Sequence, residues 1–245
     1  MCKSILLTSA SDNEKYYLDE WLKYHLKIGF SRIVIFEHNW SFTNKDDYKN
    51  DPVEFIPYTK NFIVNNDFDY KNFDNFENSL IHDYISRDQD WDLITNFDCD
   101  EFLWFEKYNS FDDFYESNKN NPVVFVKWRH FGDNGLKTFD RNNTSVLKRF
   151  TKCSKGFQEN GKSFITRHGW ECGCRWISAH NTHIGSKIFN HKFYIDYGAE
   201  LFHFRNKSKE ECELRTRANV SKSHYDKCNC NEIDNFKARD FLYGM

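Results

Sequence analysis

Two hydrophobic periodicities alternate along the chain and predict strands and helices in turn. Residues 4–9 and 33–36 are short apolar runs, which are typical of buried strands. Between them, apolar side chains recur every three or four residues and predict an amphipathic helix that ends at Gly29; they are Tyr17, Leu18, Trp21, Leu22, His25 and Leu26. Strand, helix and strand in this order predict a βαβ unit and therefore a parallel sheet.

The same two patterns continue through most of the remaining chain. Further strands are predicted at residues 53–58, 93–97, 122–128, 162–167, 192–196 (an edge strand) and 199–205, and helices at 73–85, 111–115 and 207–217. Ser208 and Glu211 have the spacing of a capping box at the start of the last helix. Because no repeat and no Pro- or Gly-rich linker interrupts the pattern, we predict one α/β domain over residues 1–220, followed by a helix or tail over 221–245.

The apolar run at residues 93–97 ends abruptly in acidic residues. Asp98 and Asp100 are two positions apart, so on an extended backbone both carboxylates project to the same side. This placement is unfavourable unless a cation lies between them, and the hard ions Mg²⁺ and Mn²⁺ prefer such oxygen ligands. Since these ions keep positions open for phosphate oxygens, the motif predicts a site for a nucleotide diphosphate. The alternative is a solvated turn, where most isolated Asp-X-Asp sequences lie.

Other polar residues follow predicted strands or precede the acidic segment. Glu37 follows the strand at 33–36, where it would accept a hydrogen bond from a ribose or a base, or lie in an exposed turn. Asn78 and His82 share one face of the helix before the acidic segment, and a purely structural histidine is the alternative. Trp128 and Arg129 end a strand and begin a glycine-containing loop, which is typical of a sugar-binding wall or of a buried tryptophan beside a surface loop.

Composition narrows the range of functions. The chain of 245 residues is 39% hydrophobic and 18% aromatic, which is ample for a globular core. Its formal net charge is -3 with acids and bases well mixed, so nucleic acid is not expected as the main partner. The apolar runs are shorter than a membrane span, and the first ten residues are too short for a signal peptide. We therefore expect a cytoplasmic protein, with peripheral association with a membrane left open.

The cysteines give a second hypothesis, a non-catalytic interaction domain held together by zinc. Cys172 and Cys174 form one Cys-X-Cys pair, and Cys228 and Cys230 form another. Structural zinc sites usually separate paired cysteines by two to four residues, so this spacing is short. The alternative is a set of buried or free thiols in a reducing compartment.

Several short pieces occur in the order found in one group of enzymes. They are residues 13–14 with 18–25 and 29 ("NE…L.EW..YH…G"), 36–39 at a Tyr-Asp-Asn position, 90–91 with 97–103 ("W..F.D.DEFL"), 128–132 ("W..FG"), 162–163 with 183 ("KS…H"), and 203–204 with 207–211 ("HY..KS.EEF"). This ordered set resembles the family 2-like glycosyltransferases of the GT-A type, and more narrowly the group that includes family 92.

The resemblance implies a GT-A fold with a mostly parallel central sheet flanked by helices. It implies an inverting, metal-dependent hexosyltransferase of glycan or polysaccharide synthesis, which moves a sugar from a nucleotide-diphosphate sugar such as a UDP-sugar to an acceptor hydroxyl. Mn²⁺ or Mg²⁺ would be the cofactor. The roles implied are metal ligands at Asp98, Asp100 and His203, nucleotide contacts at Asn13, Glu14, Glu37, Asn78 and His82, sugar or acceptor contacts at Trp128, Arg129 and His183, and catalytic acids at Asp133 and Glu101.

Within these roles, Asp133 is the expected general base for the acceptor hydroxyl, because it is an acid on the loop after Trp128. Glu101 is either its substitute or a group that orients the metal site. A metal-dependent nucleotidyl or phosphoryl transferase on a related α/β sheet is the third hypothesis. Against it, the sequence has no glycine-rich phosphate loop near the N-terminus.

Overall fold

The computed structural model describes residues 1–38, 41–58, 73–178, 181–184, 187–188, 194–216 and 230–244. For 73–79, 177–178, 181, 183–184, 187–188 and 215–216 it describes the backbone alone. The predicted strand at 192–196 begins outside these ranges, and so does part of the predicted C-terminal segment. Within the described part of the chain, no helix is long and apolar enough to cross a lipid bilayer.

The strands, in chain order, are β1 (Ser4–Ala10), β2 (Arg32–His38), β3 (Val53–Tyr58), β4 (Leu93–Asn96), β5 (Glu101–Phe105), β6 (Val123–His130), β7 (Lys152–Cys153), β8 (Gly161–Thr166), β9 (Cys174–Ser178), β10 (Asn181–Ile184), β11 (Lys187–Ile188), β12 (Ile195–His203) and β13 (Ile233–Asp234). The α-helices are α1 (Leu18–Ile28), α2 (Phe73–Arg87), α3 (Phe111–Asn118), α4 (Val146–Arg149), α5 (Arg167–Glu171), α6 (Lys209–Thr216) and α7 (Lys237–Tyr243). Short 3₁₀ helices lie at Asp12–Glu14 and Lys45–Tyr48.

Among the described residues, eight strands form the main sheet in the order β3-β2-β1-β4-β8-β6-β12-β5. The four strands from β3 to β4 are parallel, as the βαβ pattern predicts. Beyond β4 the sheet is mixed, because β8 is antiparallel to both neighbours and β5 is antiparallel to β12. The α/β class is therefore confirmed, whereas a mostly parallel sheet is found only on one side of the molecule.

The connection from β4 to β5 requires this sheet to curl. The two strands are four positions apart in the sheet, which is roughly 19 Å when a sheet is flat. Five Cα steps of at most about 3.5 Å fall short of that distance even when extended. The connecting loop, residues 97–100, also turns, since Glu101 N donates to Asp98 O (3.0 Å). Curling of the sheet therefore brings the end of β4 to the start of β5.

The loop of residues 97–100, which we call the acidic loop, crosses the carboxyl ends of several strands. In the sheet register Glu101 lies opposite His203, and His203 lies beside His130, so β5 begins where β12 and β6 end. β4 runs parallel to β1 and ends next to it. The carboxyl ends of parallel strands are the usual place for a ligand in an open α/β sheet.

Helix α1 packs against β5 and fixes the strand that follows the acidic loop. Its hydrophobic stripe is buried, as the periodicity predicts, and two polar atoms of this face bind the backbone of β5. Trp21 Nε1 donates to Glu101 O (2.8 Å), and Tyr24 hydroxyl donates to Leu103 O (2.7 Å). Gly29 ends the helix with a φ of 108°, a left-handed conformation that glycine adopts without strain.

One strand prediction is wrong in its extent. The patterns at 192–196 and 199–205 predict two strands, the first at an edge, but β12 is one strand that lies between β6 and β5. A register shift between Asp196 and Leu201 accommodates Gly198, whose backbone passes close to Tyr108; a Cβ at residue 198 would lie 2.7 Å from that ring. The small residue and the bulge interrupt the alternating pattern without ending the strand.

The last two helices of the described residues, α6 and α7, have different surroundings. α6 begins with the predicted capping box, in which Glu211 N donates to Ser208 Oγ (3.3 Å) and Ser208 N donates to Glu211 Oε2 (3.0 Å). α7 packs on α1 and β5, and its Phe241 ring lies 5.4 Å from Tyr24. A domain boundary at residue 220 stays a prediction.

A buried ion pair joins α4 to α6. Arg149 donates to both oxygens of Glu211 at 2.8 Å, and the hydroxyl of Tyr17 also donates to Glu211. Burial alone raises the pKa of Glu211, but the hydrogen bonds from Arg149, Ser208 and Tyr17 outweigh it and lower this pKa to about 2. The ionised form of Glu211 is therefore part of the folded structure.

Replacement of Arg149 by methionine leaves this carboxylate buried without its main partner. We expect Arg149→Met to lower the free energy of unfolding by about 3–5 kcal/mol, measured by urea denaturation. The control is Arg87→Met, which removes an exposed pair with Asp83 on α2 and is expected to cost no more than about 0.5 kcal/mol. Equal, small effects of both substitutions would contradict a structural role for the buried pair.

The same pair predicts a pH dependence. Because the folded pKa of Glu211 lies below its ordinary value of 4.5, the stability it contributes is complete above about pH 4.5 and is lost as the pH falls toward about 2. The difference in unfolding free energy between the wild type and Arg149→Met should therefore shrink over this interval. Urea denaturation at several pH values measures it, and a difference that stays constant down to pH 2 would contradict the assignment.

Candidate active site

The acidic loop lies on the wall of a cavity of about 380 Å³. Asp98 and Asp100 both line this cavity, so the two residues share one concave surface. We call it the acidic cavity. Its other charged and polar lining residues include Asp12, Asn13, Glu14, Lys15, Arg141, Asn206, Lys207 and Glu211. A mixture of acids and bases around one cavity suits a ligand that carries several negative charges together with a cation.

The two aspartates have different surroundings. Asp100 is buried, and its carboxylate oxygens lie 3.6 Å from His203 Nε2 and 3.7 Å from Lys207 Nζ. The side chain of Asp98 is half-exposed, and its Oδ1 lies 3.3 Å from Nζ of the buried Lys162. Asp100 is thus held in place by its neighbours, whereas Asp98 keeps more access to solvent.

Glu101 fastens the acidic loop from below. It is completely buried, and it accepts hydrogen bonds from Asp98 N (2.8 Å) and from Trp128 Nε1 (2.6 Å). Burial raises the pKa of Glu101 well above its ordinary value, while the nearby Lys162 ammonium, 3.6 Å away, opposes this rise. Within the described chain Glu101 does not line the acidic cavity. Its position fits the orienting role expected of it and offers no contact with a substrate.

Asn13 and Glu14 line the cavity next to the two aspartates. Both lie in the 3₁₀ helix that follows β1, and Ser11 caps this helix. Glu14 Oε2 accepts from Ser11 N (2.9 Å) and Ser11 Oγ (2.7 Å), so its carboxylate is held against its own turn. The parallel pairing of β1 with β4 brings this segment to the acidic loop, although Glu14 and Asp98 lie 84 positions apart in sequence.

Other predicted site residues lie away from the described lining of the cavity. Glu37 is buried and accepts from Phe42 N (2.7 Å) and Lys45 Nζ (2.6 Å), because the segment after β2 folds back over it. The Trp128 indole is buried beneath the acidic loop, where it binds Glu101. The side chain of Arg129 pairs with Glu200 (2.6 Å).

Asp133 and the helix α2 residues also lie elsewhere. Asp133 Oδ1 accepts from Gly135 N (2.7 Å) and Asn231 Nδ2 (2.9 Å), so this carboxylate closes a turn outside the described lining of the acidic cavity. The His82 ring packs against the Trp170 ring, with 5.8 Å between the two ring centres. The side chains of Asn78 and His183 lie outside the described residues, and their roles stay predictions.

Lys207 and Arg141 are cavity residues to which the sequence patterns give no role, although Lys207 is part of the motif at 207–211. Lys207 has a φ of 54°, which is rare for a residue with a side chain. It stands between the end of β12 and the cap of α6, and the short motif around it indicates no place in a cavity. Arg141 lies two residues after Phe139 in a loop without periodicity, so only the folded chain reveals its place.

The oxygen donors of the acidic cavity fit a hard divalent cation. Among the described residues, no three His, Cys, Asp or Glu side chains stand together as a preformed metal site. Mg²⁺ and Mn²⁺ are commonly held by one or two carboxylates, with waters and substrate phosphates as the remaining ligands. Asp98 and Asp100 on one cavity wall fit a site in which two carboxylates hold the cation and the substrate completes its ligands. His203 lies beside Asp100 but within a buried cluster, where its ring is 4.4 Å from Trp128.

The cysteine pairs are not assembled into a metal cluster in the described residues. Cys174 is buried in β9, whereas Cys172 is exposed. The Cys172 Sγ atom lies 3.8 Å from His168 Nε2. Cys228 lies outside the described ranges. A zinc-stapled domain therefore stays an alternative that this part of the structure does not support.

Comparison with known proteins corrects the family prediction. No family model matches the chain, and no curated protein matches it either. The ordered motifs therefore do not place the chain among the family 2-like or family 92-like glycosyltransferases, and that prediction is wrong. Each motif spans only a few residues, which is too short to establish membership of a family.

Solved structures give distant similarities. HddC from Yersinia pseudotuberculosis aligns with 11% identity and a TM-score of 0.35, over 69% of this chain and 78% of HddC. A197 from STIV aligns with 12% identity and a TM-score of 0.30, over 68% of this chain and 65% of A197. Both similarities are too slight to define the fold or the function of this chain.

Glu101 provides a test of how the acidic loop is held. The Glu101 carboxylate accepts one hydrogen bond on each oxygen, from Asp98 N and from Trp128 Nε1. In Glu101→Gln one of these oxygens becomes an NH₂ group, so one of the two donors loses its acceptor. We expect the free energy of unfolding, measured by urea denaturation, to fall by about 1–3 kcal/mol. The control is Glu116→Gln on the exposed face of α3, with little expected change. A Glu101→Gln protein as stable as the wild type would contradict the anchoring role.

Proposed function

We propose that the protein is a glycosyltransferase that binds a nucleotide-diphosphate sugar in the acidic cavity. Mn²⁺ or Mg²⁺, held by Asp98 and Asp100, would be its cofactor, and a hydroxyl of a glycan or another acceptor would receive the sugar. The observation that carries the proposal is the position of these two carboxylates on one cavity wall, at the carboxyl ends of parallel strands. We also propose that the sheet is a variant of the GT-A fold, supported by its parallel β3-β2-β1-β4 half and by the acidic loop after β4.

The charges around the cavity support a diphosphate ligand. Lys15 and Arg141 line the same cavity as the two aspartates. Arginine and lysine bind phosphate oxygens through charge-assisted hydrogen bonds, and arginine often does so with two parallel bonds. Asp98 and Asp100 would hold the cation, and Lys15 and Arg141 would bind phosphate oxygens of the diphosphate directly.

The proposed reaction breaks the bond between the anomeric carbon of the sugar and the diphosphate oxygen. The electron pair of that bond leaves with the nucleoside diphosphate, while the acceptor oxygen forms the new bond to the anomeric carbon and its proton passes to solvent water. The bound cation would neutralise the charge that develops on the diphosphate. The role of the protein in this step is to hold the buried Asp100 side chain rigidly, through its contact with His203 and its burial. Because Asp133 lies outside the described cavity lining, the proposal gives it no role in taking the acceptor proton.

The test combines binding and turnover. Isothermal titration calorimetry with nucleoside diphosphates and nucleotide sugars, each with Mn²⁺ or Mg²⁺, is expected to show cation-dependent binding by the wild type. Asp100→Asn should weaken it at least about tenfold, equivalent to about 1.4 kcal/mol. The control is Asp90→Asn, an exposed acid shortly before the same strand, which is expected to bind like the wild type.

The outcomes separate the hypotheses. Sugar transfer or slow hydrolysis of one nucleotide sugar, lost in Asp100→Asn, supports a glycosyltransferase. Release of pyrophosphate from a nucleoside triphosphate and a sugar phosphate would instead assign the cavity to nucleotidyl transfer. If no nucleotide binds with either cation, and Asp100→Asn behaves like the wild type, the proposal is wrong.

A further inference from the structure

Lys207 has an unusual backbone for a lysine. Among the described non-glycine residues, only Asn134 and Lys207 have a positive φ, at 53° and 54°. Asparagine adopts this left-handed conformation comparatively often, whereas a lysine there is strained. Such strain persists only where neighbouring structure imposes it, and it is found mostly at functional sites. On the C-terminal side, the capping box of Ser208 and Glu211 fixes the chain immediately after Lys207.

The strained backbone places a buried ammonium group on the wall of the acidic cavity. Only about 6% of the Lys207 side chain is exposed, and its Nζ lies 3.7 Å from Asp100 Oδ2. The same nitrogen lies 4.7 Å from the centre of the Tyr17 ring, a cation–π distance. Tyr17 is in turn held by Glu211. The charge of Lys207 is therefore fixed in position next to the carboxylate proposed to hold the cation.

A second buried lysine provides a contrast. Lys162 Nζ lies 3.3 Å from Asp98 of the acidic loop and 3.6 Å from Glu101 at the start of β5, so two carboxylates face its charge. Unlike Lys207, Lys162 is not part of the described lining of the cavity. Its position explains how the acidic loop is neutralised from below. Lys207 places its charge on the wall of the acidic cavity.

We propose that Lys207 is a built-in cation of the diphosphate site. Resting on the proposed function, this inference adds that the Lys207 ammonium pairs with Asp100 before the divalent cation binds, and contacts a phosphate oxygen once cation and diphosphate are bound. A positive charge this close to Asp100 opposes a second cation there and favours an anion. Lys207 thus makes the site select the cation together with the diphosphate over the cation alone.

This role predicts shifts of opposite sign when the charge is removed. In Lys207→Met, Asp100 loses a competing positive charge, so Mn²⁺ alone should bind more tightly. The diphosphate loses a cationic partner, so it should bind more weakly even when Mn²⁺ is saturating. A side chain that only maintains the shape of the cavity would weaken both.

The experiment measures both affinities by calorimetry on the same preparations. For Lys207→Met we expect the Kd of Mn²⁺ alone to fall about threefold or more, and the Kd of UDP at saturating Mn²⁺ to rise about tenfold or more. Lys207→Arg keeps the positive charge, so both dissociation constants should change less than in Lys207→Met. The matched control is Lys209→Met, an exposed lysine two residues away that pairs with Glu213, and it should leave both constants unchanged.

Lys207→Gly serves as a second variant in case the methionine protein folds poorly. Glycine adopts a φ of 54° without strain, so this protein should fold, as checked by circular dichroism, and should show the same two opposite shifts. Two other results are possible when the wild type binds Mn²⁺ and UDP: both variants bind both ligands more weakly, or both variants bind them as the wild type does. Either result overturns the role of Lys207 and leaves the proposed function standing. If the wild type binds neither UDP nor another nucleoside diphosphate, the proposed function and this inference fail together.

Discussion

The structure depends on the short connection between β4 and β5. Two strands that lie four positions apart in the sheet are joined by residues 97–100, and this is possible only if the sheet curls. Glu101 secures the connection from inside, because it accepts the Trp128 indole N–H and the backbone N–H of Asp98. The residues that close the sheet are thus the same residues that present carboxylates to the cavity.

Closing the sheet in this way concentrates negative charge in a partly buried region. Asp100 and Glu101 are almost inaccessible to solvent, and uncompensated charges in such a place are very costly. The fold compensates with two buried lysines that come from distant strands or strand ends, Lys162 on β8 and Lys207 after β12. The acidic loop and its counter-charges therefore form one electrostatic unit that no single segment of the chain contains.

Local patterns predict the elements of this protein well, because they depend on neighbouring residues. The amphipathic stripe of α1, the buried run before Asp98 and the capping box of Ser208 and Glu211 all appear as predicted. Asp98 and Asp100 lie in a turn, so the alternation of an extended strand that predicts a shared orientation does not apply, and the folded loop brings both to one cavity. In the mixed half of the sheet the prediction fails, because the place of β5 beside β12 is set by a pairing about one hundred residues apart.

Side-chain destinations are harder to predict for the same reason. Glu37 follows a strand, as a nucleotide-binding acid would, yet the segment that folds back over it supplies Lys45 as a partner. Asp133 follows the strand of Trp128, yet its own turn and Asn231 take up one of its oxygens. Lys207 joins the cavity through a backbone conformation that its residue type disfavours. In each example a contact made by a distant or irregular segment decides where the side chain points.

The place of β12 between β6 and β5 has a consequence for synthesis on the ribosome. Of the described strands, β5 pairs within the main sheet with β12 alone, and residues 195–203 are translated long after residues 101–105. Until then β5 exposes both of its edges, and the sheet lacks the strand that closes it. Contacts so far apart in sequence slow folding, and unpaired strand edges promote association between nascent chains. The closure that builds the cavity thus leaves a long interval in which the growing polypeptide carries an unpaired strand edge.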